Sequence, residues 1–418
     1  MLCQFLTGRL NLTFMMIVLS ANICWAQATS SPSPANPDFE FIDTSFENAS
    51  PLYWEVNPEG EIVISLKYDH QRGSLNRAAG HWHFQVQGKP GTTHTLILQN
   101  FSNIWNGKPG LAVEKETATV LSEDGKMWHS IGIEYLPDTR IKFPVTLGKD
   151  GTIFVARVEP YRVSDLNRFL KNIETNPLIK IEKIGETVEN RPLEIIRVGN
   201  ADAPHRLFLR ARAHPWEPGG SWIVQGLINK LLDGSPESEA CLNTYCTYIM
   251  PMANKDGVAH GYTRFNLKGW DLNRKWDEPA PEKYCPENYD LEQWLLKMIA
   301  QKQAPELAIE LHNDSSGKMH LSFLETEYQQ VYLKKMKLLE NELREHTWFT
   351  NGTNPATFRN PGSLPQGWLE RFQVDGIVLE FNANWIAKKE KRPMGADWEE
   401  FGQGMTLSIK DYFEQVNH

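Results

Sequence analysis

The sequence predicts an α/β fold, a mixed and largely parallel sheet flanked by helices, preceded by an antiparallel β-sandwich. Two observations carry this. Up to about residue 160, short runs such as EIVISLKY, HWHFQVQG, THTLILQNF and GTIFVARV alternate apolar with polar residues and break at Gly, Asn and Asp. That is the grammar of antiparallel strands in a sandwich. After residue 160, strand-like runs (HRLFLRARA, TYCTYIMPMA, ELAIELHN, GIVLEF) alternate with helical ones (SWIVQGLINKLLDG, LEQWLLKMIAQ, EYQQVYLKKMKLLENELREHTW). Such alternation marks a parallel sheet, whose ligands sit beyond the carboxyl ends of the strands.

Length agrees with two domains, since single cores stop growing at roughly 250 to 300 residues and the chain has 418. The expected division is 1–28 leader, 29–38 linker, 39–160 sandwich and 161–418 α/β domain. The second begins at VSDLNRFLKNI, where Ser164 is the expected N-cap and Leu166, Phe169 and Leu170 share one helical face. Composition is that of a globular protein, with 41% hydrophobic and 23% charged residues. A net charge of −9 argues against a nucleic-acid partner, because such proteins concentrate Lys and Arg against phosphate, and none is expected.

The start of the chain sets Arg9 before an apolar run, Leu12 to Leu19, and then Ala26-Gln27-Ala28, an A-x-A cleavage pattern. It reads as a secretory signal peptide, so export to a periplasm or the exterior is expected, with no stable membrane insertion after cleavage. Cleavage would leave Cys241, Cys246 and Cys285, which allow at most one disulfide within the chain or three free thiols.

The chemistry-bearing residues fall at strand ends. An apolar strand from Leu207 runs into His214-Pro215-Trp216-Glu217, where the two prolines at 215 and 218 argue against a helix interior. His and Glu at a strand-to-loop corner suit Zn²⁺, whose catalytic sites take three protein ligands and leave one position open. His312 closes the apolar strand Leu307 to Leu311 and completes a His₂Glu set. The stretch YTRFNLKGWDLNRKW gathers Arg264, Asp271, Asn273 and Arg274. A guanidinium fork with an amide beside it is suited to holding a carboxylate.

HPWE, Asn254-Lys255-Asp256-Gly257, YTRFNLKGWDLNRKW, IELHND and VLEFN stand in the order of the corresponding motifs of zinc metallocarboxypeptidases, the M14 family, which this chain resembles. Within it the chain is most similar to the cytosolic-carboxypeptidase-like subgroup, down to D-L-N-R-x-W and to PYRVSDLNRFL at the domain junction. The resemblance implies one Zn²⁺ per chain on His214, Glu217 and His312. It implies that Asn273 and Arg274 grip the terminal carboxylate of a peptide or protein substrate, and that Arg264 polarises the scissile carbonyl. By the same likeness Glu380 is the general acid/base of a zinc-activated water, and Asp271 orients the first histidine. Many relatives carry a mobile tyrosine where Phe358 stands here. The missing hydroxyl would cost one hydrogen bond to substrate, about 0.5–1.5 kcal/mol.

Two other classes stay open on the sequence. A zinc deacylase or amidase could use the same metal set on acylated amino acids or cell-wall peptides. A non-catalytic binding protein would work through the sandwich, though all three ligands and Glu380 are present. His81 and His83 share a strand face and read as packing residues, His260 and His320 as supporting or solvated ones, and Lys388 to Arg392 as a solvated basic run.

Overall fold

Apolar runs that alternate in the first part of the chain become two five-stranded sheets packed face to face. The structure, a computed structural model, describes residues 35–70, 77–105, 107–114, 116–354 and 362–416. One sheet orders the strands Phe39–Asp43, His83–Gly88, Thr152–Ala156, Thr119–Ser122 and His129–Ile131. The other orders Glu134–Tyr135, Ile141–Thr146, Thr93–Gln99, Ile62–Leu66 and Leu52–Val56. Their inward residues, among them Ile64, Trp82, Phe84, Leu96 and Phe143, form a separate apolar core. The sandwich departs from the expected pattern at one pair, since Ile62–Leu66 runs parallel to Thr93–Gln99. A small four-stranded sheet, ending in Lys108–Leu111, lies beside it.

The expected signal peptide lies outside the described residues, as does most of the 29–38 linker. Its end is tied down: the Asn36 amide donates to Gly60 O at 2.8 Å and lies 3.2 Å from His94 Nδ1.

The α/β part is built on an eight-stranded sheet ordered Ile179–Glu186, Pro192–Val198, Tyr245–Met250, His205–Ala211, Leu307–Asp314, Asp375–Asn382, Met319–Leu321 and Thr353–Asn354. The middle four strands are parallel and buried on both faces. Leu307, Ile309, Leu311, Ile377 and Leu379 face the core shared with the helices Gly219–Leu231, Tyr328–His346 and Gly395–Val416. The alternate positions face the opposite way, and there Ala308 packs with Phe208, Trp276 and Trp368. Sandwich and α/β part keep separate cores within one compact unit.

The helix Val163–Ile173 starts two residues earlier than its sequence suggests. Arg162, rather than Ser164, holds the N-cap position, and its backbone N–H donates to Asp165 at 2.9 Å. Ser164 lies inside the first turn, and its N–H donates to Glu47 of the sandwich at 3.0 Å. Cys241, Cys246 and Cys285 are buried free thiols, which settles the alternative left open by their number.

On the polar face of the sheet, Arg210 and Glu310 are register partners on adjacent strands and both are fully buried. Arg210 donates twice to Glu310 Oε1, at 2.9 and 2.5 Å, and also to Asn288 Oδ1 and Leu272 O. With four of its N–H groups engaged, Arg210 compensates the buried Glu310, but either partner alone would be an uncompensated charge. Arg210→Ala is therefore expected to cost about 3–5 kcal/mol of stability, read as a lower denaturation midpoint in guanidinium chloride.

Candidate active site

The polar alternation of the central strands ends in chemistry at their carboxyl edge. His312 follows Glu310 by two positions on one strand, and Glu380 is its register partner on the next. Two-residue periodicity therefore turns both toward the face that carries Arg210 and Glu310. His214 enters from the corner after His205–Ala211, where Arg212 adopts φ +59° and its buried guanidinium donates to Tyr161 O and Pro215 O. Those two bonds hold a left-handed turn that a non-glycine residue otherwise avoids.

Glu217 bridges the two imidazoles. Its Oε1 lies 2.9 Å from His214 Nδ1 and its Oε2 lies 2.7 Å from His312 Nδ1. Trp216 Nε1 donates to Oε1 at 3.0 Å. The histidine rings are 4.7 Å apart, and one ligand atom from each of the three residues lies within 4.8 Å of the others. The remaining ring nitrogens are engaged behind them. His214 Nε2 is 3.2 Å from Asp271 Oδ1, while His312 Nε2 is 3.1 Å from Asn273 Nδ2 and 3.4 Å from Glu310 Oε1. Two imidazoles and a carboxylate converging, with the carboxylates of Asp271 and Glu310 at the outer nitrogens, is the donor set and support a zinc ion takes. Against the opposing effect of burial, Glu217 and then Glu310 hold His312 well above its ordinary value.

Asp271 ties this set to the basic loop. Besides His214 it accepts from Arg264 Nε at 2.7 Å and from the Asn273 backbone N–H at 3.0 Å. Although burial works against ionisation, Arg264 and His214 hold Asp271 well below the usual carboxylate range. Asn273 uses its side chain within the protein, accepting from Leu364 N at 2.9 Å and meeting His312 through Nδ2. Arg274 lines the same cavity, and its NH1 donates to Asn273 O at 2.6 Å.

The cavity holds about 300 Å³ and takes in all seven of His214, Glu217, Arg264, Asn273, Arg274, His312 and Glu380. Burial first, then the neighbouring Asp314 carboxylate, pushes Glu380 well above the ordinary carboxylate range. A bound cation would reverse that direction. The expected Phe358 substitution lies outside the described residues.

Several contributors were not legible in the sequence. Asp69, in the sandwich part, accepts backbone N–H bonds from Thr263, Arg264 and Phe265 at 2.8, 2.5 and 3.3 Å. It anchors the loop that bears Arg264 from 194 residues away. Burial nevertheless raises it to about 7 against those three donors. Leu111, Ala112, Glu114 and Arg157 of the sandwich also line the cavity. Other sequence candidates stay outside it. His81 and His83 are buried against Asn48, at 3.1 and 3.0 Å, His260 pairs with Glu189, and Lys389 and Lys391 pair with Asp397.

Fold and site together place a donor set suited to a metal ion at the carboxyl edge of a largely parallel α/β sheet. Residues 166–330 match the Peptidase_M14 family model, zinc carboxypeptidase. Mouse cytosolic carboxypeptidase 1 is 29% identical over 187 residues, which cover 41% of this chain and 15% of that protein. The chain thus spans a small part of that relative's length. Among solved structures, a metallo-carboxypeptidase from Burkholderia cenocepacia superposes with a TM-score of 0.77 over 90% of this chain and 99% of its own, at 19% identity. A metallo-carboxypeptidase from Pseudomonas aeruginosa, solved with (2-guanidinoethylmercapto)succinic acid, gives 0.73 over 90% of this chain and all of its own (100%), at 20% identity. At these identities the likeness is one of fold, and it extends over sandwich and α/β part alike.

The two buried aspartates separate experimentally. Asp271→Ala is expected to weaken zinc binding by about 10- to 100-fold in competition with a chelator, because it removes the support behind His214. Asp69→Ala should lower turnover and change zinc affinity less than Asp271→Ala does, since its three bonds hold Thr263 to Phe265 and none of them reaches Asp271 or His214.

Proposed function

We propose that this chain is an exported zinc carboxypeptidase that releases residues from the carboxyl ends of peptides or proteins, with His214, Glu217 and His312 as metal ligands. The convergence of that donor set with Glu380 and two arginines in one cavity is the observation that carries the reading. When bound, zinc supplies an acidified water, with a pKa lowered toward ~7, and a Lewis acid for the scissile carbonyl.

The chain's own residues do the rest. Glu380 Oε2 is closed off from solvent and has no hydrogen-bond partner among the described residues, so it is available to accept a proton from water and return it to the departing amine. Arg264 is fixed through its Nε by Asp271, which leaves its other N–H groups for the charge that develops on the carbonyl oxygen. Arg274, with the amide of Asn273 beside it, is suited to a terminal carboxylate. An internal peptide bond offers no such anion at that distance, so the cut is confined to the chain end. The small, partly enclosed cavity agrees with an exposed chain end as substrate.

Export rests on the leader pattern of Arg9, Leu12 to Leu19 and Ala26-Gln27-Ala28. No helix among the described residues is long and apolar enough to cross a membrane. Edman sequencing of the protein recovered from its native host is expected to begin after Ala28; an intact start in a soluble intracellular fraction would overturn export.

Incubation with a peptide library, followed by mass spectrometry, should yield ladders shortened from the carboxyl end. Release of acyl groups with peptide backbones intact would point to a deacylase instead. Glu380→Gln is expected to keep its zinc and lose about 10²- to 10⁴-fold in turnover. Arg274→Ala should lose far more activity on peptides with free carboxyl ends than on their amides, and equal losses would remove the carboxylate-binding role.

A further inference from the structure

Trp216 stands in sequence between His214 and Glu217, on the α/β side, yet its indole packs against the apolar core of the sandwich. Two sandwich residues shape that seat. Gly80 offers no side chain where the indole lies, and a Cβ there would overlap Trp216 Cζ3. Arg157 places its guanidinium carbon 4.4 Å from the centre of the Trp216 ring and 5.4 Å from that of Trp82. It is held there by donating to Ala112 O at 2.6 Å and Gly80 O at 3.4 Å. Burial lowers the Arg157 guanidinium to about 10, which leaves it charged at neutral pH and drawn to the negative face of the indole.

The polar atom of the same indole points to the metal corner. Trp216 Nε1 donates to Glu217 Oε1 at 3.0 Å, and the Trp216 backbone N–H donates to Thr263 O at 3.3 Å. Thr263 is tied to the sandwich in turn, because its Oγ1 accepts from Gly80 N and His81 N at 3.0 and 3.2 Å. Gly80 therefore makes room for the ring and also fixes the residue that holds its backbone. We propose that Trp216 is a positioning residue for Glu217, and that the sandwich sets the affinity of the metal site through it. The proposal rests on Glu217 as a metal ligand.

The bonds on the Glu217 carboxylate show why the indole matters. Among the described residues it has three partners: His214 Nδ1, His312 Nδ1 and Trp216 Nε1. An imidazole nitrogen that turns its lone pair to a cation no longer donates to the carboxylate, so two of the three are given up when a metal binds. The indole bond remains. The last torsion of a glutamate is otherwise broad, and a fixed donor on one oxygen narrows it before the cation arrives. An indole N–H donates and never accepts, so it favours the ionised carboxylate that ligation requires. Packing alone would be met by any flat apolar ring under Arg157; the N–H aimed at a ligand is what tryptophan adds.

Competition for Zn²⁺ between a chelator and the full-length protein tests this. Trp216→Phe keeps a ring under Arg157 and removes the N–H, and it is expected to weaken zinc about 10-fold while unfolding in guanidinium chloride stays cooperative. Gly80→Ala, in the sandwich and away from the cavity lining, should weaken zinc as well, because its methyl group displaces the indole. That second loss should vanish when Gly80→Ala is combined with Trp216→Phe, whose ring lacks Cζ3. Arg157→Gln repeats the cycle from the other contact on the indole, so a fold lost in Gly80→Ala still leaves the link open to test. Unchanged zinc affinity in Trp216→Phe overturns the positioning role and leaves the ligand set standing. Additive losses in the double variants overturn the link to the sandwich. No zinc bound by the unaltered protein overturns the ligand set and this role together.

Discussion

The site depends on one buried carboxylate, Asp271, because three functional residues take their positions from it. It lies against His214, fixes the Nε of Arg264 and caps the backbone of Asn273. An aspartate with no exposure costs several kcal/mol to desolvate, and only such a full set of partners offsets that. The converse also holds: a loop of irregular backbone keeps its shape because Asp271 accepts from within it and Asp69 accepts from its other end. The metal-binding corner and the basic loop are therefore one rigid assembly, and the sandwich is part of it through Asp69. Pre-positioned charge of this kind serves catalysis, since nothing has to reorganise when the reaction's charge develops.

A second column of polar groups lies under the first. Arg210 and Glu310 sit between strands that are otherwise apolar, and Glu310 reaches the outer nitrogen of His312. The central strands thus carry two kinds of information on opposite faces. One face is leucine and isoleucine against helices; the other runs from apolar residues through an ion pair to the histidine and Glu380 at the open end. A parallel sheet presents its strand ends at one edge, so each strand can deliver its last polar residue to a common point.

Much of this was legible in the sequence, and for physical reasons. His312 and Glu380 each close a continuous apolar run, where a polar side chain must either meet solvent or do something. HPWE was legible because its prolines exclude a helix, and the basic loop because Arg264, Asn273 and Arg274 stand within eleven residues of one another. What escaped were contacts made across the fold. Asp69 is an ordinary turn residue until the sandwich docks on the Arg264 loop, and His320 reaches the cavity only because the short strand around it pairs with Asp375–Asn382. Ser164 is not the cap, although a serine before an apolar run is the common signal; Asp165 bonding back to the Arg162 N–H is equally good and moves the start by two residues. The parallel strand pair in the sandwich was hidden for a related reason, since alternation reports burial and says nothing about direction.

The central claim is that a zinc ion belongs between His214, Glu217 and His312. The most direct test is a crystal of the protein purified without chelator, with diffraction recorded on both sides of the zinc absorption edge. The account predicts an anomalous peak about 2.0–2.2 Å from His214 Nδ1, His312 Nδ1 and a Glu217 oxygen. No peak at that point, with these three side chains still bonded to one another, would contradict it.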